Sequence, residues 1–174
     1  FKKLGKRARD RAQTASQMKP NFALTLSFEG ICLLHRAASG WDQVGELSLD
    51  SPDLSAELRK LRDRGLALSP DGLRSKLVLP NEQIRFLHFE AEDLRSDELD
   101  DAVRHHLEGK TPYALDELAH DWSISSGQVF VAAVARETLS EAETFAVRHG
   151  FDPVCFVAAP EPRDFVGEPW FGKT

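Results

Sequence analysis

The sequence predicts an α/β domain: a mixed, mostly antiparallel sheet that opens with a three-stranded meander, gains further strands and carries three helices. Three observations lead there. Phe22, Leu24, Leu26 and Phe28 alternate with Ala23, Thr25 and Ser27, the period-2 signature of a half-buried strand. Residues 129–134 (Val-Phe-Val-Ala-Ala-Val) are apolar on both faces, as suits a strand central in its sheet. Between the strand-like runs lie three stretches of helical periodicity, each followed by a glycine.

At 174 residues, 41% hydrophobic and 29% charged, the chain suits one globular domain with a single core. No apolar run approaches the ~20 residues of a membrane span, and no apolar stretch follows the early lysines as it would in a signal peptide. The chain begins at Phe1, not Met, so residues are expected before it, which leaves room for a membrane segment outside this stretch. Cys32 and Cys155 each sit in an apolar run and read as buried free thiols of a reducing compartment. A bridge between them would need neighbouring strands. No metal-ligand spacing surrounds either one.

The net charge of −6 is unevenly spread. Residues 1–20 hold seven Lys or Arg and one acid, Asp10, a local +6 that leaves −12 on the remainder. A basic arm on an acidic body implies two surfaces with different partners. Leu4, Ala8, Ala12 and Ala15 fall on one helical face of the arm, and Pro20 ends it. It reads as a solvated helix, or as an arm that touches anionic lipid or an acidic partner. Nucleic acid is disfavoured, because no aromatics interleave the cations and the body would repel phosphate.

Each element can be justified in order. Glu29-Gly30 turns the chain into the returning strand 31–35, and Ala38-Ser39-Gly40 turns it again into a third strand, 41–49. Ser51-Pro52 is read as a helix start, Leu54, Leu58 and Leu61 as its apolar face and Gly65 as its end. Residues 76–80 and 83–89 read as strands four and five. Ser96 is read as the cap of a second helix, 97–108, with acids in its first turn. A hairpin over 122–125 and 128–135 comes next, then a third helix over 136–149 ended by Gly150, and a last strand at 154–157. After Pro160 the composition turns to Pro, Gly and charge and reads as an irregular tail.

This order, a meander followed by a helix and a further strand, resembles the ribonuclease-H/actin-like lobe. The second half sharpens the likeness. The acid-capped helix from Asp97-Glu98-Leu99 to Leu107-Glu108 leads to Thr111-Pro112-Tyr113-Ala114-Leu115-Asp116-Glu117, then to Asp121-Trp122. Val129 to Arg136, another helix and Gly150-Phe151-Asp152-Pro153-Val154 complete the pattern. These segments resemble the actin-like assembly proteins of the type IV pilus PilM and type II secretion L-protein cytoplasmic kind, over 22 to about 160 and for their first half only. The resemblance implies residues 1–20 as a basic arm, 21–160 as an actin-like lobe and 161–174 as a tail or linker. It also implies a cytoplasmic scaffold, peripheral on the inner face of the membrane or tethered by a segment outside this chain, that binds protein partners of a membrane-associated complex.

The departures bear on chemistry. In ATP-binding relatives the first hairpin carries an Asp and two glycines, so that backbone amides wrap phosphates and the Asp holds a metal. Here it reads Leu24-Thr25-Leu26-Ser27-Phe28-Glu29-Gly30: the Asp is absent, one glycine remains, and Phe28 would crowd a phosphate. A nucleotide in this fold sits between two lobes, and the second is not in this chain. No cofactor and no catalysis are expected.

The strongest rival is the ending. Gly167-Glu168-Pro169-Trp170-Phe171-Gly172-Lys173-Thr174 matches the Walker A pattern letter for letter, which would make the chain an NTP-binding protein. Its context argues for a decoy: no buried strand precedes Gly167, Pro169 removes an amide from the cradle, and no helix comes after Thr174 here. A nuclease would need an acid on the first strand, whereas Asp97, Glu98, Asp100 and Asp101 crowd a helix start. His105 and His106 point about 100° apart on a helix and cannot chelate together, and His120 lies beyond. The candidate partner surface is therefore Lys2, Lys3, Lys6 and Arg7 in the arm with Phe165, Trp170 and Phe171 in the tail, unless those aromatics cover the domain's own core. Residues beyond Thr174 would separate the two readings: an apolar-periodic helix favours the P-loop, a polar linker and a single ~20-residue apolar span the scaffold.

Overall fold

A computed structural model describes residues 19–174. The opening alternation forms β1 (Phe22–Leu26), which returns as β2 (Gly30–Ala37) and leads into β3 (Gly40–Ser48). The register Phe22↔His35, Leu24↔Leu33 and Leu26↔Ile31 puts the large apolar side chains of both strands on one face. Close packing at the first turn demands glycine: a Cβ on Gly30 would lie 2.2 Å from the carbonyl oxygen of Leu47 in β3.

Helix α1 (Leu54–Leu68) starts later than Ser51-Pro52 suggests, because Asp53 is the cap; its Oδ1 accepts the Ala56 N–H at 3.1 Å. Gly65 does not end it either. It is buried inside the helix, where a Cβ would meet Leu73 Cδ1 at 2.9 Å and Leu33 Cδ2 at 3.1 Å. The glycine serves the approach of helix to sheet, and the helix runs one further turn past it.

The chain continues through β4 (Ser75–Leu79), a single 3-10 turn and β5 (Ile84–Glu90), then α2 (Ser96–Leu107). Arg95, not Ser96, is the cap residue of α2, and its N–H donates to Glu98 Oε2 at 3.0 Å. After a second 3-10 turn come β6 (Leu118–Ser125), β7 (Gln128–Ala135), α3 (Arg136–Arg148), β8 (Pro153–Ala158) and β9 (Trp170–Lys173). β6 begins four residues earlier than the apolar pattern indicates, since its polar His120 and Asp121 hide the alternation.

Two sheets result, ordered β3-β2-β1-β4-β8-β9 and β5-β7-β6. β1–β4 and β4–β8 are parallel and every other pair is antiparallel, so the fold is α/β with a mixed, mostly antiparallel strand set. β7 is central in the small sheet, as its two apolar faces require. The main core lies between one face of the large sheet (Phe22, Leu24, Leu33, Leu77, Phe156), helices α1 and α3, and one face of the small sheet (Ala132, Val134). The other face of the small sheet (Val129, Val131, Trp122) packs on Leu99, Val103 and Leu107 of α2.

The tail is the main correction to the sequence reading. Trp170–Lys173 is not irregular but pairs antiparallel with β8, and Phe165 and Phe171 are buried in the main core. A bulge between Phe156 and Val157 in the β8–β9 register leaves Phe171 without a ladder partner, and Gly172 takes φ +121° beside it. A four-residue strand that follows Pro169 and contains Gly172 has too little pattern to declare itself.

The Gly30 contact yields a direct test. Gly30→Ala should cost about 2 kcal/mol or more and lower Tm by roughly 4–8 °C, read by thermal unfolding. An unchanged Tm would contradict the close approach of β2 to β3.

Candidate functional site at the hairpin end of the large sheet

Because β1, β4 and β8 run parallel, their C-terminal ends share one end of the large sheet, where open α/β sheets present their ligand crevices. The β1–β2 hairpin projects there. Ser27 tightens it: its N–H and its hydroxyl both donate to the Gly30 carbonyl at 3.0 Å, and its Oγ accepts the Gly30 N–H at 3.0 Å. The Gly30 amide, which a phosphate would need, is thereby engaged within the turn. Phe28 at the tip is 62% exposed.

Two depressions flank the hairpin. One, of about 480 Å³, is lined by Thr25, Ser27, Cys32 and Ser48 together with the carboxylates of Glu29 and Glu46. Burial and then the neighbouring Glu46 push the Cys32 thiol up. The other depression, of about 370 Å³, is apolar and runs from Leu26, Phe28 and Leu79 to Phe145 on α3. Neither offers the Asp-and-glycine cradle of a nucleotide hairpin, and two acids stand where phosphates would approach.

The terminal Gly-Lys-Thr is part of a sheet edge. Lys173 pairs with Cys155 and Gly172 with Phe156; the Thr174 Oγ1 donates to the Pro153 carbonyl at 2.8 Å and its N–H to the Val154 carbonyl at 3.3 Å. The Trp170 N–H donates to Asp121 Oδ2 at 3.0 Å, and Glu168 pairs with Lys76 at 2.6 Å. In a P-loop successive amides converge on one anion, whereas here the motif is drawn out along β8.

The other sequence-singled residues separate. Phe165 and Phe171 lie in the core, and Trp170 is half-buried on the outer face of the large sheet near Val157 and Cys155. Lys2, Lys3, Lys6 and Arg7 lie outside the described residues. Asp97, Glu98, Asp100 and Asp101 sit on α2, over the small sheet; Asp100 accepts the Trp122 Nε1–H at 2.6 Å and Glu98 pairs with Arg95. His106 packs edge-on against Phe89, ring centroids 3.8 Å apart, and burial lowers its pKa, with His105 and Lys110 adding to the effect. Among the described residues no group of three His, Cys, Asp or Glu side chains could hold a metal ion. Cys32 and Cys155 are free, on strands separated by β1 and β4, too far apart to bridge.

Two features escaped the sequence. Asp121 is buried and accepts the N–H groups of both Trp122 and Trp170, joining the small sheet to β9. The apolar groove escaped as well, although an exposed Phe at a hairpin tip was a signal for it.

No family model and no curated protein matches this sequence. Solved structures do. The cytoplasmic domain of EpsL, an inner-membrane component of the type II secretion system of Vibrio cholerae, superposes with TM-score 0.58 at 15% identity, covering 81% of this chain and 59% of that one. The PilM–PilN type IV pilus biogenesis complex gives TM-score 0.56 at 18% identity, covering 79% of this chain and 46% of that one. A Bacteroides thetaiotaomicron protein with an actin-like ATPase fold aligns more loosely, with TM-score 0.40 and 13% identity, over 82% and 53% of the two chains. The chain therefore shares the fold of the PilM and EpsL kind that its motifs suggest, and it spans less than two thirds of the length of either neighbour.

The side-chain environments give two solution measurements. Burial foremost, with Glu168 adding, pushes the Cys155 thiol up to about 11, so at pH 8 a thiol reagent should label Cys32 first and Cys155 only on unfolding. Equal labelling rates in the native protein would contradict that packing. His106 resists protonation when folded, so its contribution to stability is full above the unfolded pKa of about 6.5 and declines as pH falls through it. His106→Gln should therefore flatten part of the Tm decline between pH 7.5 and 5.5; an unaltered slope would remove His106 from that effect.

Proposed function

We propose that this chain is a non-catalytic protein–protein interaction domain, a scaffold within a membrane-associated assembly of the pilus or secretion kind. The observation that carries the reading is the hairpin end. In a fold shared with EpsL and PilM, the place where nucleotide-binding relatives wrap phosphate holds Glu29, Glu46, an outward Phe28 and a Gly30 amide closed on Ser27. A surface of that composition suits side chains of another protein better than an anion.

Its partners are proteins, and it works on the cytoplasmic side of the membrane. No helix among the described residues is long and apolar enough to cross a membrane, so attachment comes from partners, from a segment outside this chain, or from Lys2, Lys3, Lys6 and Arg7 against anionic headgroups. Against the rival NTP-binding reading stand the amides of Gly172 and Thr174, which sit along a strand pair and not around a common point.

Calorimetric titration of the chain with MgATP and MgGTP tests the non-catalytic half, and no binding is expected up to about millimolar ligand. Micromolar affinity for either would overturn it. For the scaffold half, tagged chain captured from solubilised membranes should bring inner-membrane assembly proteins with it. Recovery free of any membrane protein would count against the assembly role.

A further inference from the structure

On the helical side of the main core, α1 and the C-terminal end of α3 flank a depression of about 280 Å³ lined by Ser55, Arg59, Arg62, Arg148 and His149. The positions 55, 59 and 62 stand at i, i+4 and i+7, so the three α1 residues form one stripe. Arg148 and His149 face that stripe from the end of α3. Every one of these side chains carries a hydrogen-bond donor, and no carboxylate lines the depression. The composition runs against the body of the chain, where residues 21–174 carry a net −12. The depression shares no lining residue with the two at the hairpin, so what binds here is independent of the scaffold reading.

The cations lack counter-ions. Among the described residues no side-chain hydrogen bond or ion pair engages Arg59 or Arg148. Arg62 is half-engaged: its Nε and Nη2 donate to Asp63 Oδ1 at 3.3 and 3.0 Å, while Nη1 lies over Gly150. Gly150, at φ +78°, makes room for it, since a Cβ there would meet Arg62 Cδ at 2.8 Å and Nη1 at 3.0 Å. The guanidinium is thereby laid against the turn that follows α3. Arg148 also borders a neighbouring depression that holds Glu141, two turns back on α3, and forms no ion pair with it. His149 packs on Phe145, ring centroids 4.7 Å apart, and burial with Arg148 nearby lowers its pKa. The C-terminal dipole of α3 opposes an anion with about half a charge, which three guanidinium charges less the one of Asp63 outweigh.

We propose that this depression is an oxyanion site that holds one phosphate group, either of a soluble phosphate ester or of a lipid headgroup. Arginine suits it because planar guanidinium forks bind phosphate oxygens in pairs. The Ser55 hydroxyl is a further donor for the same group. At ~30 Å³ per water, the volume takes one phosphate with several waters beside it. Apart from His149, already packed on Phe145, no lining ring offers a nucleobase a platform, so the phosphate itself is what the site selects.

The test titrates the whole 174-residue protein, isotope-labelled, with inorganic phosphate and with sodium chloride at matched ionic strength and fixed pH. Phosphate should move the amide and guanidinium resonances of Arg59, Arg62, Arg148 and His149 along a saturating curve with Kd on the order of millimolar. Chloride should not. Arg59→Gln with Arg148→Gln, both at exposed positions, should weaken phosphate by at least about tenfold, whereas Lys60→Gln on the same helix should change it by less than about twofold. Shifts that match those of chloride, shifts confined to residues 1–20 or to another surface, or a double variant that binds as before would each refute the site. So would succinate acting at lower concentration than phosphate, which would make this a seat for carboxylate side chains of a partner protein. Vesicles then separate the two sources of phosphate. Anionic phosphatidylglycerol vesicles, compared with neutral phosphatidylcholine, should lose about tenfold in binding to the double variant if the group is a lipid headgroup, and nothing if it is a soluble ester.

Discussion

The structure depends on β1 having two different neighbours. Antiparallel β2 returns its chain at once, while parallel β4 can be reached only by a crossover, which α1 supplies. That one constraint fixes the large sheet. Phe22 and Leu24, fully buried, point toward the helices, and the C-terminal ends of β1, β4 and β8 all arrive at the same end as the hairpin tip. The groove beside Phe28 exists because β1 and β4 end there together with α3 alongside. Fold and candidate site are thus consequences of one strand arrangement.

A second link holds the two sheets together. Asp121 lies on the face of β6 turned toward the large sheet, and its carboxylate takes the N–H groups of Trp122 and Trp170. A buried carboxylate with backbone donors is stabilising only while those donors stay in place, so β9 and the small sheet are coupled. The aromatic tail completes this coupling by inserting Phe165 and Phe171 into the main core. The segment that resembles a nucleotide motif in the sequence is the outer strand of the large sheet.

Legibility followed the strength of the local pattern. The alternation at 22–28 and the double-sided apolar run at 129–134 located β1 and β7, and β7 took the central place its composition required. Helix ends were harder. Asp53 and Arg95 displaced Ser51 and Ser96 as cap residues by one or two positions, and Gly65 marks close packing where a stop was expected. β9 was illegible because Pro169, Gly172 and a bulge break its period, and only the sheet edge of β8 makes it a strand. At the site, the turn that places Phe28 and Glu29 at the hairpin tip was readable from the alternation at 22–28 and from Gly30. The groove was not, since it assembles residues more than 100 positions apart, from Leu26 to Phe145. The likeness to EpsL and PilM came through strand order and loose motifs at 15% and 18% identity, where geometry outlasts residue matches.

The central proposal is that the hairpin end of this fold receives a protein partner and not a nucleotide. Amide hydrogen exchange over residues 27–31, 49–50 and 138–145 tests it most directly, measured on the chain alone, with MgATP, and within its membrane assembly. The account predicts exchange unchanged by MgATP and slowed in the assembly. Slowing by MgATP at Ser27–Gly30, with no change in the assembly, would contradict it.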